Sequence, residues 1–201
     1  MNHPKNEQTL VVIKPDGVQR SLIGEIIKRY EKTGLKLAAL KFFIPSEELI
    51  RQHYLTDPEW VRKVGEKAIA AYQKSGETAP FSDPVVCGES VLGRLQKYLS
   101  SGPVVAMVWQ GNKAVGIVRK LTGGTEPLTS DPGTIRGDYT VDSYSTADPD
   151  GRAVRNLIHA SGSVDEAEKE IVLWFKKEEV VNYRLISDAI LYDVNLDGIK
   201  E

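Results

Sequence analysis

Apolar and polar positions along the chain follow two periods. Residues 9–13 (TLVVI) are apolar or β-branched throughout and predict a buried strand. Lys14, Pro15, Asp16 and Gly17 end it, because proline cannot donate to a central ladder and Pro and Gly punctuate. Ile23, Ile26, Ile27 and Tyr30 then recur at helical spacing, with Gly24, Glu25, Lys28 and Arg29 between them. Gly34 is placed to close that helix. Residues 35–43 (LKLAALKFF) alternate as a second strand. Ser46 before Glu47 and Glu48 marks the next helix start, and Leu49, Ile50 and Tyr54 carry that helix onward.

The middle of the chain is less periodic. Residues 61–72 predict a helix, 74–84 a loop rich in Gly, Ser, Thr and Pro, and 92–99 a short helix. Residues 103–109 (PVVAMVW) predict a third strand and 114–121 a short helix. Residues 122–151 read as one long loop, and a loop of that length in a compact fold is often functional. Residues 156–158 predict a fourth strand. Residues 163–175 (SVDEAEKEIVLWF) predict a helix that Ser163 and Glu166 start as a capping box. Four strands with interspersed helices indicate an α+β sandwich, with one sheet covered on one face by helices.

Composition narrows the classes. The 201 residues suit one domain, or two small ones. One cysteine, Cys87, excludes an intramolecular disulfide and a four-cysteine zinc site. A net charge of −2 argues against a protein that coats nucleic acid, although it leaves room for a small basic pocket. Residues 1–8 lack the apolar core of a secretory signal, and the apolar runs are too short to span a bilayer. The expectation is a soluble cytoplasmic protein, with no membrane partner and no specific nucleic-acid partner.

Chemistry can rest on few residues. Of three histidines, His3 is near the terminus, His53 sits on a predicted helix beside Tyr54, and His159 follows an apolar run. His159 is expected at a strand end, facing the N-terminus of the capped helix, where backbone N–H groups favour an anion. Imidazole there can act as base, metal ligand or nucleophile, or it can be a core histidine with a satisfied hydrogen bond. No second His or Cys lies at ligand spacing to it, so no protein-held metal is expected. Lys14, Arg119 and Arg136 offer the point charge and the planar forks that phosphate accepts. No Walker-type string is present, so a phosphate site has to be assembled from separate segments.

Several strings in order carry a resemblance. Residues 12–20 (VIKPDGVQR), 101–105 (SGPVV), 132–138 (PGTIRGD), 156–163 (NLIHASGS), 167–171 (AEKEI) and 173–175 (LWF) together resemble the nucleoside diphosphate kinase family. The resemblance runs from about residue 8 to residue 192. It implies a ferredoxin-like βαββαβ fold with a four-stranded antiparallel sheet covered by helices. It also implies a phosphotransferase that passes the γ-phosphate of a nucleoside triphosphate such as ATP to nucleoside diphosphates. The transfer would be ping-pong, through a phosphohistidine at His159. Glu170 would orient the imidazole, with Ser161 beside both. Lys14, Arg119, Thr125 and Arg136 would grip phosphates, Asn156 would contact the ribose with Lys14, and Tyr54 would stand near the histidine. Mg2+ would be held mainly by the nucleotide's own phosphates. Relatives form hexamers or tetramers, so a homo-oligomer is implied.

The chain departs from the family pattern in three places. Ala160, Ser161, Gly162 and Ser163 stand where Gly-Ser-Asp-Ser is usual, so the aspartate the family sets near the magnesium–phosphate cluster is missing. Two insertions, at about 56–90 and 142–152, lengthen what is otherwise a single domain over 1–201. Val91 then falls where a base-stacking phenylalanine is usual, and Trp60, Tyr72 or Phe81 could supply the missing ring. A non-catalytic nucleotide-binding or scaffold protein on the same fold is the competing reading.

Overall fold

The structure, a computed structural model, describes residues 4–76 and 78–192; His3 lies outside the described residues. Strands β1 (Glu7–Ile13), β2 (Lys36–Phe43), β3 (Val104–Gly111) and β4 (Ile158–Ala160) form one sheet in the order β2-β3-β1-β4. Every pairing is antiparallel, with Leu10 opposite Val108, Leu40 opposite Met107 and Val12 opposite His159. The expected four-stranded antiparallel α+β sheet is therefore present. The fourth strand is displaced from the expected 156–158, because Leu157 adopts a left-handed φ of 66° that no strand continues through.

Residues Thr9 through Ile13 are all buried, so the central strand is covered on both faces. Val11 and Ile13 pack with Ile26 and Tyr30 of α2 (Ile23–Glu31) and with Ala114 and Val118 of α6 (Ala114–Thr122). Leu10 and Val12 pack on the other face. There they meet Ile50 of α3 (Glu47–Tyr54), Tyr98 and Leu99 of α5 (Pro84–Ser100), and Trp174 of α9 (Val164–Trp174). Helices thus cover two faces, where periodicity suggested one. A strand apolar at every position needs this, because half its side chains would otherwise meet water.

Caps explain most helix starts. Ser46, Asp83 and Ser163 each accept from backbone N–H groups of the first turn. α5 begins at Pro84, eight residues before the expected start, since Asp83 as cap and Pro84 at N1 are strong start signals inside a loop-like composition. The Ser163 cap is only half of the expected box: Glu166 reaches back to the N–H of Gly162, at 2.9 Å, rather than to Ser163. The long segment 122–151 is also not structureless. It holds a 3₁₀ turn at Pro127–Thr129 and two short helices, α7 (Ile135–Tyr139) and α8 (Tyr144–Ala147).

Helix α4 (Trp60–Ser75) packs against α5 as a helical hairpin. Its helices touch backbone to backbone. A Cβ on Gly65 would lie 1.8 Å from the Pro84 carbonyl oxygen, and one on Gly88 1.9 Å from that of Val61. Gly65→Ala should therefore push the helices apart, destabilising the fold by about 1–3 kcal/mol and lowering Tm by roughly 3–10 °C. Gly24→Ala, where nothing lies within 4 Å, should leave Tm unchanged or raise it. Equal melting curves for the two variants would contradict this packing.

A tight cross-connection at the end of β1 sets up the site. The N–H of Lys14 donates to the Leu157 carbonyl at 2.8 Å, and the N–H of Leu157 donates to Asp16 Oδ2 at 3.1 Å. Gly17, in the short helix α1 (Pro15–Gln19), closes against the same turn, since a Cβ there would lie 2.8 Å from Ile13 Cγ2 and 3.1 Å from the Leu157 carbonyl oxygen. These contacts hold Leu157 in its strained conformation. Asn156 and His159, on either side of it, are directed to one place as a result.

Candidate active site

His159 is the middle residue of β4. Ile158 and Ala160 turn into the layer of α2 and α6, so His159 faces the opposite layer, toward α9 and α3. On α9, Ala167, Glu170 and Trp174 are buried on one stripe. Glu170 is thus a carboxylate at a core position. Its Oε1 and Oε2 lie 2.9 and 3.1 Å from His159 Nε2, and the hydroxyl of Ser161 donates to Oε2 at 2.6 Å. With Nε2 given to Glu170, the other nitrogen, Nδ1, carries the free lone pair. The His159 side chain keeps 15% exposure while that of Glu170 has 2%, so only the imidazole can be reached by a substrate.

Burial is the main cause that holds His159 below the ordinary histidine range, and Lys14, Arg136 and Arg119 add to it. The ring is therefore neutral at physiological pH, the form a nucleophile needs. Burial also raises Glu170, and burial followed by the nearby Glu170 carboxylate raises the half-buried Glu166.

The cations come from three elements. Lys14 is buried and donates from Nζ to Asn156 Oδ1 at 2.6 Å, while Asn156 Nδ2 donates to the Thr125 carbonyl at 2.8 Å. Arg136 is buried and donates from all three of its nitrogens to backbone carbonyls: Asn156 at 3.1 Å, Gly123 at 3.2 Å, Gly124 at 2.9 Å and Ile158 at 2.6 Å. Arg119, exposed on α6, reaches the Ala160 carbonyl at 3.5 Å. Thr125 is exposed on the loop that Arg136 ties down. The expected residues Lys14, Arg119, Thr125, Arg136, Asn156, His159, Ser161 and Glu170 therefore converge on β4 and its flanks.

Burial, with Arg136 next, lowers Lys14 from 10.5 to about 7. A phosphate arriving beside it restores its hold on a proton. Nucleotide binding at about pH 8–9 should thus take up close to one proton per site through Lys14. Calorimetry of ATP binding in buffers of different ionisation enthalpy reads this directly. The uptake should vanish in Lys14→Met, and a binding heat that ignores the buffer would contradict it.

Sequence reasoning missed His53, Trp174 and Tyr98. His53 is buried on α3, one turn after Ile50, with its ring edge-on to His159 at 4.4 Å between centroids. Trp174 Nε1 donates to His53 Nδ1 at 3.2 Å, and that Nδ1 lies 3.3 Å from Glu170 Oε1. No second His or Cys lies at ligand spacing to His159 along the chain, but folding brings His53 to it from 106 positions away. An imidazole on an apolar helical stripe is the signal that could have found it. Tyr54 packs on His53 at 4.9 Å and on Trp60 at 4.8 Å, so it lies one ring removed from His159. Tyr98 donates to Asp16 Oδ1 at 2.5 Å, and Lys14 and Arg155 lie over its ring.

His53, His159 and Glu170 gather two imidazoles and a carboxylate whose ligand atoms lie within 4.8 Å of one another. Magnesium prefers six oxygens and keeps its waters, so this buried, nitrogen-rich trio does not fit it.

Comparison with known proteins gives this arrangement a family. A sequence profile described as nucleoside diphosphate kinase matches residues 7–76 and 85–180. A nucleoside diphosphate kinase of Pyrobaculum aerophilum is 50% identical over 179 residues, spanning 87% of this chain and 98% of that protein. Nucleoside diphosphate kinase A 1 of Bos taurus is 42% identical, spanning 94% of this chain and 98% of its own length. Among solved structures, an NDP kinase from Pyrobaculum aerophilum superposes with a TM-score of 0.85 at 48% identity, covering 88% of this chain and 100% of that one. A transition-state mimic of nucleoside-diphosphate kinase from Borrelia burgdorferi, with bound vanadate and ADP, gives 0.75 at 35% identity, covering 92% and 95%. The chain belongs to the nucleoside diphosphate kinase family, and its fold is the ferredoxin-like one. It is a catalytic member, an enzyme that transfers phosphate between nucleotides, rather than a scaffold on that fold.

Proposed function

We propose that His159 is the phosphate carrier of a ping-pong nucleoside diphosphate kinase. One observation carries this reading: His159 Nε2 is held by the buried Glu170 at 2.9 Å, which leaves Nδ1 free within the field of Lys14, Arg119 and Arg136. In the first half-reaction Nδ1 attacks the γ-phosphorus in line. The bond from that phosphorus to the bridging oxygen breaks, and nucleoside diphosphate leaves. The ring becomes positive, keeping its proton on Nε2 and donating it in a hydrogen bond to Glu170. In the second half-reaction a terminal phosphate oxygen of another nucleoside diphosphate attacks the same phosphorus. The N–P bond then breaks, and neutral imidazole returns.

Ser161 and Glu170 fix the ring's direction and tautomer. Lys14, Arg119, Thr125 and Arg136 are the groups for phosphate, where fixed donors stabilise spread negative charge. Asn156, bonded to Lys14, is the group for ribose, and Tyr54 with Trp60 supplies ring surface beside the site. Magnesium would be held mainly by the nucleotide's own phosphates, whose negative charge it would offset. The helical hairpin and the segment around α8 are insertions in one domain.

A homo-oligomer, hexamer or tetramer, is supported by the outer edge of β2 beyond Ala38, where Leu40, Phe42 and the following Ile44 are exposed. No described helix is long and apolar enough to cross a membrane. The single, buried, unpaired Cys87 suits the reducing cytoplasm.

Steady-state rates with ATP and GDP varied together test the scheme. Parallel reciprocal lines are expected, and intersecting lines would require a ternary complex instead.

A further inference from the structure

Behind His159 lies a second imidazole with no step of its own in the transfer. We propose that His53 is a positioning residue for phosphoryl transfer, locked by Trp174 in the tautomer that carries its proton on Nε2; this rests on His159 being the phosphate carrier. An indole N–H can only donate. The acceptor of Trp174 Nε1 is His53 Nδ1, at 3.2 Å, so that nitrogen holds a lone pair and not a proton. The same Nδ1 faces Glu170 Oε1 at 3.3 Å.

That oxygen is also 2.9 Å from His159 Nε2. A proton on His53 Nδ1 would be donated to Oε1, drawing charge from the oxygen that also holds the Nε2–H of His159 and so weakening that bond. With its proton on the far nitrogen, His53 instead turns the negative side of its ring dipole toward the carboxylate and gives it no donor. Glu170 becomes more basic and pulls harder on the Nε2–H of His159. The pull counts most when Nδ1 of His159 bonds to phosphorus and the ring gains positive charge. No proton leaves the trio in this step. The lock also argues against reading the trio as a metal site, since Trp174 occupies the His53 lone pair and His159 Nε2 is closed on Glu170.

The side chains of His53 and Glu170 are 1% and 2% exposed, so solvent does not set the tautomer; the neighbours do. His53 meets Tyr54, His159 and Trp174 edge-on, at 4.9, 4.4 and 5.6 Å between centroids. Of these, Trp174 brings an N–H of fixed direction to Nδ1.

Histidine-selective 15N labelling tests this, because the chain has three histidines. Long-range 1H–15N spectra of the full-length protein should show His53 neutral, with its proton on Nε2. Trp174→Phe keeps a ring but removes the N–H. It should bring up the Nδ1–H tautomer of His53 and slow single-turnover phosphorylation by ATP about tenfold, with ATP Kd changed by less than about twofold. His53→Phe, which fills the space without a lone pair, should give a similar loss of rate. A wild-type His53 protonated on Nδ1 would overturn the proposal. So would a tautomer that Trp174→Phe leaves unchanged, or full transfer rates in both variants. Movement of the His159 15N signals on adding ATP reports the carrier role separately. A still His159 signal beside a locked His53 would count against the carrier and not against the lock.

Discussion

His159→Gln is expected to lower phosphoryl transfer by at least about 10⁴-fold, because the covalent route disappears with the nucleophile. Glutamine is the informative replacement. Its amide N–H can still donate to Glu170, so the buried carboxylate is not stranded and the fold should stand. Lys14, Arg119 and Arg136 remain in place, so ATP should still bind with a Kd within a few-fold of wild type, on the order of 1 kcal/mol or less. Coupled transfer from ATP to GDP, read beside ATP titration and melting curves, checks all three. Residual activity near one percent or above would mean that phosphate travels another way.

Arg136→Lys should be the most destabilising conservative change in the site. Arg136 is 6% exposed and donates to four carbonyls on two segments: Gly123 and Gly124 after α6, and Asn156 and Ile158 on either side of Leu157. A lysine offers one point of charge and cannot span that set. Several buried acceptors would lose partners, at about 1–3 kcal/mol each before relaxation. A net loss of about 3–5 kcal/mol follows, with Tm lowered by roughly 10 °C and the loop bearing Thr125 released. Burial holds the guanidinium below its usual range, at about 10, so it stays charged at neutral pH and the loss should appear across that range. Urea unfolding measures it. A variant within 1 kcal/mol of wild type would show that the fork is not the clamp that joins these segments.

Strong periodicity revealed β1, β2, β3, α2, α3 and α9, because each has one or two apolar faces and a cap or glycine at its end. It failed where local chemistry argued against the element. Asp83 and Pro84 look like loop residues and in fact start a 17-residue helix. The segment with Ile135 and Tyr144 is rich in Gly, Pro and Asp, which masks helices of five and four residues. β4 is three residues long, too short for any period to register.

The site was legible through its ordered strings, not through spacing. Lys14 and Asn156 are 142 positions apart and bonded at 2.6 Å, a pairing that depends on the antiparallel neighbours β1 and β4 and on the left-handed turn at Leu157. His53 and Trp174 escaped notice because their meeting with His159 needs α3 and α9 packed on the same face of the sheet. The departure at Gly162 also gains a physical sense. A Cβ there would come 2.6 Å from Glu166 Oε2, so this chain's glycine makes room for the carboxylate one turn later.

The central claim is that phosphate passes through His159, and one labelling experiment tests it most directly. The protein is incubated with ATP labelled in the γ-phosphate and no acceptor, then freed of nucleotide and divided. Label should be lost in mild acid, persist in alkali, map to the peptide containing His159, and transfer to added GDP in a single turnover. Label on another residue, or no label from an enzyme that still makes GTP from ATP and GDP, would contradict the account.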